Sequence, residues 1–257
     1  MRQDTLHVPE NGGAAPVAPN DTRRLHGSIA HDIAVAIIAG RHAPGDHLAN
    51  EDAASRHLGV SRSAYREAIR ILVSKGLVES RPKTGTRINQ RVRWNMIDPD
   101  VLAWHFEVEP SPSFITQLFE LRRIVEPSAA ALAAQRRTAH DVERLRTFAL
   151  LLKTETLASD AGHQADLDFH HAILTATGNE ALLSLSAGIG ATIRWSNTLK
   201  LGPEARLERD PFPEHWDVFN AIAAGRPRAA RLAMERLVSL SSDDIWRTLG
   251  MNRQVAE

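Results

Sequence analysis

Apolar residues recur every three or four positions over most of the chain, and this spacing predicts amphipathic helices. In the first third, Asn50 stands at a helix N-cap position and predicts a short helix over about residues 50–57. After a break at Gly59, Ser61 is predicted to cap the next helix. Apolar stripes give the flanking helices a buried face, with Leu25, Ile29, Ile33 and Ile37 before the turn and Ala64, Ala68, Ile71 and Leu72 after it.

A β-hairpin is predicted directly behind these helices. Residues 77–80 and 86–89 are short runs typical of strands, and the turn between them carries Lys83 at a basic tip. The first third of the chain is therefore predicted to be a winged helix-turn-helix.

The rest of the chain has the helical period and no strand pattern. A helix is predicted to begin at Asp98-Pro99, a capping residue followed by a proline at the first helical position. Pro127 is expected to kink or split the helix in which it falls. Further helices are predicted over residues 113–135, 139–158, 162–177, 180–201, 213–224 and 227–249. The predicted fold class is mainly α, an N-terminal winged helix-turn-helix plus a C-terminal all-α antiparallel helical bundle.

Composition along the chain predicts four parts. Residues 1–21 are rich in Gly, Pro, Ala and Asn without periodicity, which predicts a flexible tail. Residues 22–93 are predicted to form the winged domain, residues 94–112 the linker with its first helix, and residues 113–250 the helical domain.

The overall composition narrows the class of protein. The 257 residues include no cysteine, which excludes thiolate catalysis, disulfides and cysteine-based zinc fingers and agrees with a reducing cytoplasm. No apolar run reaches the ~18 residues of a membrane span, and no signal peptide is evident. We expect a soluble, cytoplasmic protein with no membrane partner.

Charge is distributed unevenly although its total is zero. Residues 22–93 carry 13 Lys and Arg against 6 Asp and Glu, whereas residues 94–257 carry 17 against 22. A polyanionic partner is therefore expected at the winged domain.

Arg62, Arg66 and Arg70 lie four residues apart, opposite the apolar stripe of the helix that follows Ser61. Such a face can enter the major groove of DNA, where arginine binds phosphates or guanine edges bidentately. The alternative is an ordinary solvated helix face. The wing with Lys83 behind this helix favours DNA binding.

The segment from Ile33 to Asn89 resembles the winged helix of the GntR family of bacterial transcription regulators. The resemblance is carried by Gly40, Pro44-Gly45, Leu48, Glu51, Leu58-Gly59-Val60-Ser61-Arg62, Arg66-Glu67-Ala68, Leu72, Gly76-Leu77 and Gly85. It implies binding to double-stranded operator DNA through Arg62, Ser63, Arg66, Arg70, Lys83, Thr84, Gly85 and Thr86. The chain departs from the family at Asp52, since a basic residue is common shortly after the matching glutamate.

A second candidate site lies in the helical domain. On a helical wheel Asp166 and His170 share the apolar face of their helix, whereas Asp168 and His171 share the opposite face. His215 lies on the apolar face of the next-to-last helix. One carboxylate and two imidazoles are a borderline ligand set that suits Zn, Ni or Mn and leaves coordination positions open. Hydrogen-bonded core histidines are the alternative.

Residues 115–247 resemble the all-helical effector domain (FCD domain) of the FadR branch of the GntR family. The resemblance is carried by Glu120-Leu121-Arg122, Glu126, Asp166-x-x-Phe169-His170, Gly178-Asn179, Glu214-His215, Ala221-Ile222 and Gly225. Many members bind a divalent metal ion through one Asp and three His, which implies that Asp166, His170 and His215 are ligands. Leu237 stands where the fourth ligand is usual, so water or effector is expected to complete the coordination.

Three residues are candidates for effector binding. Arg122 lies on the apolar face of its helix, where it can bind an effector carboxylate or pair internally with Glu126, whereas Arg123 is expected to be exposed. Arg194 and Trp195 share a face with small and polar residues that is predicted to line a cavity, with ordinary structural roles as the alternative.

The linker, with Trp94-Asn95, Asp98, Asp100-Val101-Leu102 and Trp104, is similar to the junction in regulators of galactonate and related sugar-acid operons.

The leading hypothesis is a homodimeric repressor that responds to a sugar acid or small carboxylate and is not an enzyme. The rivals are a metal-dependent hydrolase that uses the Asp/His/His set and a metal-free regulator with structural histidines.

Overall fold

The computed structural model describes residues 19–155, 157, 159–200 and 209–251. The predicted tail lies outside the described residues up to position 18, and residues 19–21 belong to the first helix instead. The chain divides into two compact units between Trp94 and Asn95.

The N-terminal unit contains three helices and a hairpin, which are α1 (Pro19–Ile38), α2 (Glu51–Leu58), α3 (Arg62–Ser74), β1 (Val78–Arg81) and β2 (Gly85–Ile88). Asn50 and Ser61 are the N-caps of α2 and α3, because their side chains accept the amides of Ala53 and Ala64. Gly59 ends α2 in the left-handed conformation, with φ of 65°. The helix-turn-helix predicted from the capping residues is confirmed.

The buried faces of α1 and α3 differ in detail from the predicted stripes. Ile33 is half-buried, and Ala30 and Ala34 are buried on α1 in addition to Ile29 and Ile37. On α3 the predicted Ile71 is only half-buried. Tyr65 and Ile69 are buried there together with the predicted Ala64, Ala68 and Leu72. On α1 a strict four-residue spacing drifts around a helix of 3.6 residues per turn, which accounts for the difference there.

The hairpin is the predicted wing. Val78 pairs with Ile88 and Arg81 with Gly85 in an antiparallel register. Gly76 leads into the hairpin with a positive φ of 76°, and a Cβ at this position would lie 2.2 Å from the Arg93 carbonyl oxygen.

The described part of the C-terminal unit is entirely helical. Its helices are α4 (Pro99–Glu107), α5 (Pro112–Arg136), α6 (Ala139–Glu155), α7 (Asp160–Ala176), α8 (Glu180–Leu183), α9 (Ser186–Lys200), α10 (Phe212–Ala223) and α11 (Pro227–Thr248). Apolar residues of α5, α6, α7, α9, α10 and α11 form the core, with Phe119, Phe169, Val218 and Met234 among the most deeply buried. None of the described helices has the length and apolar composition that a membrane span requires.

One predicted feature of this unit is wrong, and a second is narrowed. The single helix over 180–201 is two helices, because the Leu185 amide bonds to the Leu182 carbonyl and tightens the chain into a three-residue turn. Pro127 does not split α5, which continues from Pro112 to Arg136 with the proline buried inside it, so a kink is the part of the prediction that stays open. The missing amide of a proline removes one helix hydrogen bond.

Candidate functional site

The exposed face of α3 carries the predicted arginine row. Arg62, Arg66 and Arg70 are exposed, as is Ser63, whereas the opposite face of the helix is buried. One side of α3 therefore packs on its own unit while the other presents three guanidinium groups to solvent.

Each of these arginines has a carboxylate partner, which sequence reasoning missed. Arg62 Nε lies 2.8 Å from Asp52 Oδ1, and Arg66 makes a bidentate pair with Glu51, with Nη2 2.8 Å from Oε1. Both acids lie at the start of α2. Arg70 pairs with Glu67 of its own helix at 2.9 Å. Such exposed pairs contribute little stability, so their main effect is to orient the guanidinium groups and to lower the positive charge of the face.

The wing presents the other predicted DNA contacts. Lys83, Thr84 and Gly85 are exposed at its tip, and Lys83 has a left-handed φ of 72°. Thr86 is half-buried, and its hydroxyl donates to Ser80 Oγ at 3.2 Å. The tip therefore offers a cation and the backbone of a tight turn.

The C-terminal unit brings together the predicted metal ligands. Asp166 and His170 of α7 and His215 of α10 are all buried, and a ligand atom from each lies within 4.8 Å of the others. The alternative pair faces outward, since His171 is exposed and the half-buried Asp168 accepts from Gln164. The burial expected from the helical wheel is confirmed.

Both imidazoles are oriented by a contact on the far side of the ring, a hydrogen bond for His215 and an ion pair for His170. His215 Nδ1 donates to the Pro211 carbonyl at 2.7 Å, and His170 Nδ1 contacts Glu126 Oε2. This leaves each Nε2 facing Asp166 Oδ1, at 2.9 Å for His215 and 3.6 Å for His170. A ligating histidine normally has such an acceptor at its other nitrogen, so the residues present fit a divalent metal ion.

Glu126 links the cluster to Arg122. Arg122 Nε donates to Glu126 Oε1 at 2.5 Å, and both side chains are buried. The internal pair considered as an alternative for Arg122 is therefore present. Arg122 also lines the cavity described below, so the pair leaves it in reach of a bound anion.

The pKa values of the cluster reflect this mutual neutralisation. Burial would raise the pKa of Glu126, but the charges of Arg122 and His170 outweigh it and lower the pKa to about 2. Burial would also raise the pKa of Asp166, which hydrogen bonds with His170 and His215 hold well below its usual range. Burial would lower the pKa of His170, but Glu126 and Asp166 raise it to about 9. Without a metal ion, the cluster therefore holds carboxylates and a charged imidazole.

A cavity adjoins the cluster. The described residues that line it are Arg122, Leu157, Asp166, His170, Ile193, Asn197, Lys200, Arg209, Pro211, Glu214, His215, Leu237 and Ser241.

The prediction that Arg194 and Trp195 line a cavity is wrong. Arg194 is exposed, and Trp195 stacks on Phe106 with ring centroids 4.7 Å apart. The cavity-facing residues of α9 are Ile193, Asn197 and Lys200, because Arg194 is rotated about 100° from its neighbour Ile193. Arg123 is also not simply exposed, since it is half-buried and donates to Ser242 Oγ at 3.1 Å.

The contacts of several cavity residues were not predicted from the sequence. Asn197 Nδ2 donates to Asp166 Oδ2 at 2.7 Å, and Lys200 Nζ donates to Ser241 Oγ at 3.0 Å. Arg209 pairs with Glu214 at 2.6 Å and with Asp244 at 2.9 Å. The spacing of Asn197 and Lys200 after Ile193, four and seven residues, is a helical face that could have indicated the first two.

Comparison with known proteins assigns both units. The family of bacterial regulatory proteins named gntR matches residues 25–88, and the FCD domain matches residues 117–240. The galactonate operon transcriptional repressor of Escherichia coli is 30% identical over 208 residues, which cover 80% of this chain and 90% of that protein. The transcriptional regulator LutR of Bacillus subtilis is 31% identical, with 74% of this chain and 87% of that protein covered.

Solved structures agree at the level of the fold. A structure described as "Lar controls the expression of the Listeria monocytogenes agr system and mediates virulence" has a TM-score of 0.59 at 19% identity and covers 87% of this chain and 97% of that one. The E. coli protein McbR/YncC has a TM-score of 0.51 at 15% identity, with 89% and 98% covered. The matched families and relatives are DNA-binding transcription regulators and not enzymes. The chain therefore belongs to the GntR family of transcription regulators, in the FadR subfamily whose C-terminal half is an FCD domain.

Proposed function

We propose that this regulator represses an operon for the catabolism of a sugar acid or related small carboxylate. Binding of that acid either releases the regulator from DNA or strengthens its binding to DNA. The observation that carries the proposal is the cavity in which Arg122 adjoins Asp166, His170 and His215. A carboxylate can contact a guanidinium group and an open metal position at once. Two relatives from Escherichia coli, the galactonate operon transcriptional repressor and a putative L-lactate dehydrogenase operon regulatory protein, are named for operons of hydroxy acids.

The metal part of the proposal assigns Asp166, His170 and His215 as ligands of Zn, Ni or Mn. Such an ion would supply Lewis-acid sites for the oxygens of the effector. Leu237 lines the cavity and offers no ligand atom, so the protein leaves coordination positions to water or effector.

The DNA part of the proposal assigns operator contacts to Arg62, Ser63, Arg66 and Arg70 on α3 and to the wing residues Lys83, Thr84, Gly85 and Thr86. In this proposal residues 22–93 bind DNA, residues 94–112 connect, and residues 113–250 bind the effector and form a homodimer.

Operator binding tests the first assignment. Arg62→Ala and Arg66→Ala should each weaken operator binding by ~1–3 kcal/mol if the arginine reads a base bidentately. The measurement is fluorescence anisotropy of a labelled operator over a range of salt concentrations. Unchanged affinity in both folded variants would remove α3 as the recognition helix.

Metal content and effector response test the second assignment together. His170→Ala and His215→Ala should lower the metal content of the purified protein and abolish the effector response, with basal DNA affinity kept. Arg122→Ala should spare the metal and weaken effector binding by ~1.5–3 kcal/mol through loss of a charge-assisted contact. His171→Ala and Asp168→Ala are the matched controls on α7, because their face is outside the cluster. Metal loss in the controls but not in the buried set would refute the site. An effector response in metal-free protein would favour the alternative hypothesis, a metal-free regulator in which the histidines are structural.

A further inference from the structure

Lys200, the last residue of α9, differs from the other cations of the cavity. It is 6% exposed, and its ammonium donates to the neutral hydroxyl of Ser241. Arg122 and Arg209 both have carboxylate partners. Among the described residues that contact Lys200 Nζ, no carboxylate is found.

The ammonium of Lys200 is buried among charges of both signs. Burial lowers the pKa of Lys200 to about 8, with Asp244 and Asp166 opposing the shift and Arg122 and Arg209 adding to it. Among the described residues its hydrogen-bond partner is the neutral Ser241 hydroxyl, so a ligand carboxylate that reaches it would supply a charged acceptor that the protein does not place there.

Lys200 and Arg122 come from different helices and line the same cavity, and each lies within the electrostatic influence of the other. Asn197, one turn before Lys200, is already used as a donor to Asp166. Leu237 contributes only apolar surface. The cavity therefore offers one anion contact at Arg122 with the Asp/His/His cluster and a second at Lys200 with Ser241.

We propose that Lys200 binds a second carboxylate of the effector, and that the cavity selects a small dicarboxylate, such as an aldaric acid, over the matching monocarboxylate. The inference rests on the effector role proposed above for this cavity. It names the chemical class of the effector and a residue that determines it.

The test uses three pairs of acids that differ only in oxidation of the terminal carbon, namely galactonate and galactarate, gluconate and glucarate, and threonate and tartrate. Isothermal titration calorimetry of the full-length protein should show that the best dicarboxylate binds at least ~10-fold more tightly than its partner. Lys200→Met should weaken binding of that dicarboxylate by ~10–100-fold, which corresponds to the loss of a hydrogen bond to a charged group. The affinity for the monocarboxylate should stay within about twofold of the wild-type value.

Two further variants separate charge from structure. Lys200→Arg keeps the charge and should keep the preference for the dicarboxylate. Ser241→Ala removes the hydroxyl that positions Lys200 and should reduce the preference by a smaller factor. Its volume change is small, so it serves if Lys200→Met fails to fold.

The inference is overturned if the monocarboxylates bind as tightly as their partners, or if Lys200→Met weakens both acids of a pair equally. Monocarboxylate binding that depends on Arg122 but not on Lys200 would overturn this inference alone and leave the proposed function intact. Binding of none of the six acids would count against the effector pocket as well, while operator binding by the same preparations would still report on the DNA-binding half of the proposal.

Discussion

At the scale of single residues, Glu126 is the shared partner of Arg122 and His170 in the buried cluster. Glu126→Gln should lower the free energy of unfolding of the metal-free protein by ~3–5 kcal/mol at pH 7, because two buried cations lose their common carboxylate. Urea denaturation in the presence of a chelator measures this. Glu120→Gln, at an exposed position of the same helix, is the control.

The contribution of Glu126 to the free energy of unfolding depends on pH. The pKa of Glu126 is lowered in the folded protein, so its contribution to stability is fully present above the ordinary value of 4.5 and is lost as the pH falls through about 2. The difference between wild type and Glu126→Gln should therefore shrink as the pH falls over this window. A variant as stable as Glu120→Gln at pH 7 would contradict the assigned role of Glu126.

At the scale of elements, two acids at the start of α2 lower the positive charge of the arginine face of α3, which we propose as the recognition face. Asp52→Asn removes the partner of Arg62 and one negative charge beside the proposed DNA-binding face of α3. We expect Asp52→Asn to bind random-sequence DNA more tightly by about 1 kcal/mol, roughly fivefold. The slope of log affinity against log salt concentration should become steeper by about one. The ratio of operator to random-sequence affinity should fall, since Arg62 loses the contact that orients it.

Competition titrations with both DNAs measure these quantities. Asp32→Asn, an exposed acid on α1 of the same unit, is the control and should change them much less. An unchanged affinity ratio in Asp52→Asn would mean that the Asp52 contact has no part in DNA reading.

At the scale of the whole molecule, one recognition helix with one wing reads only a short half-site. A two-fold homodimer on a pseudo-palindromic operator is expected, because paired half-sites raise affinity and specificity together. Light scattering of the complex at saturating protein should give two protomers per operator. A complex with one protomer would contradict this expectation.

Local features of the fold could be predicted from the sequence alone. The caps at Asn50, Ser61 and Asp98 each depend on one side chain and an amide two or three residues away, so the helix starts follow from neighbouring residues. The burial of Asp166, His170 and His215 follows from the rotation of each helix relative to its own apolar face. The arginine row of α3 could be predicted equally well, since its spacing is a property of one helix.

Contacts between distant residues were decided only by the tertiary structure. Asp166 meets His215 across 49 positions and Asn197 across 31, and Lys200 meets Ser241 across 41. Which residues of α9 face the cavity depends on how that helix is rotated against α7 and α11, and Arg194 was predicted one position away from the correct face. The sequence determined the types of ligand and the helices that carry them, because these depend on local periodicity. Packing determined which charges meet, because a rotation of 100° per residue turns a small error in helix phase into a different neighbour.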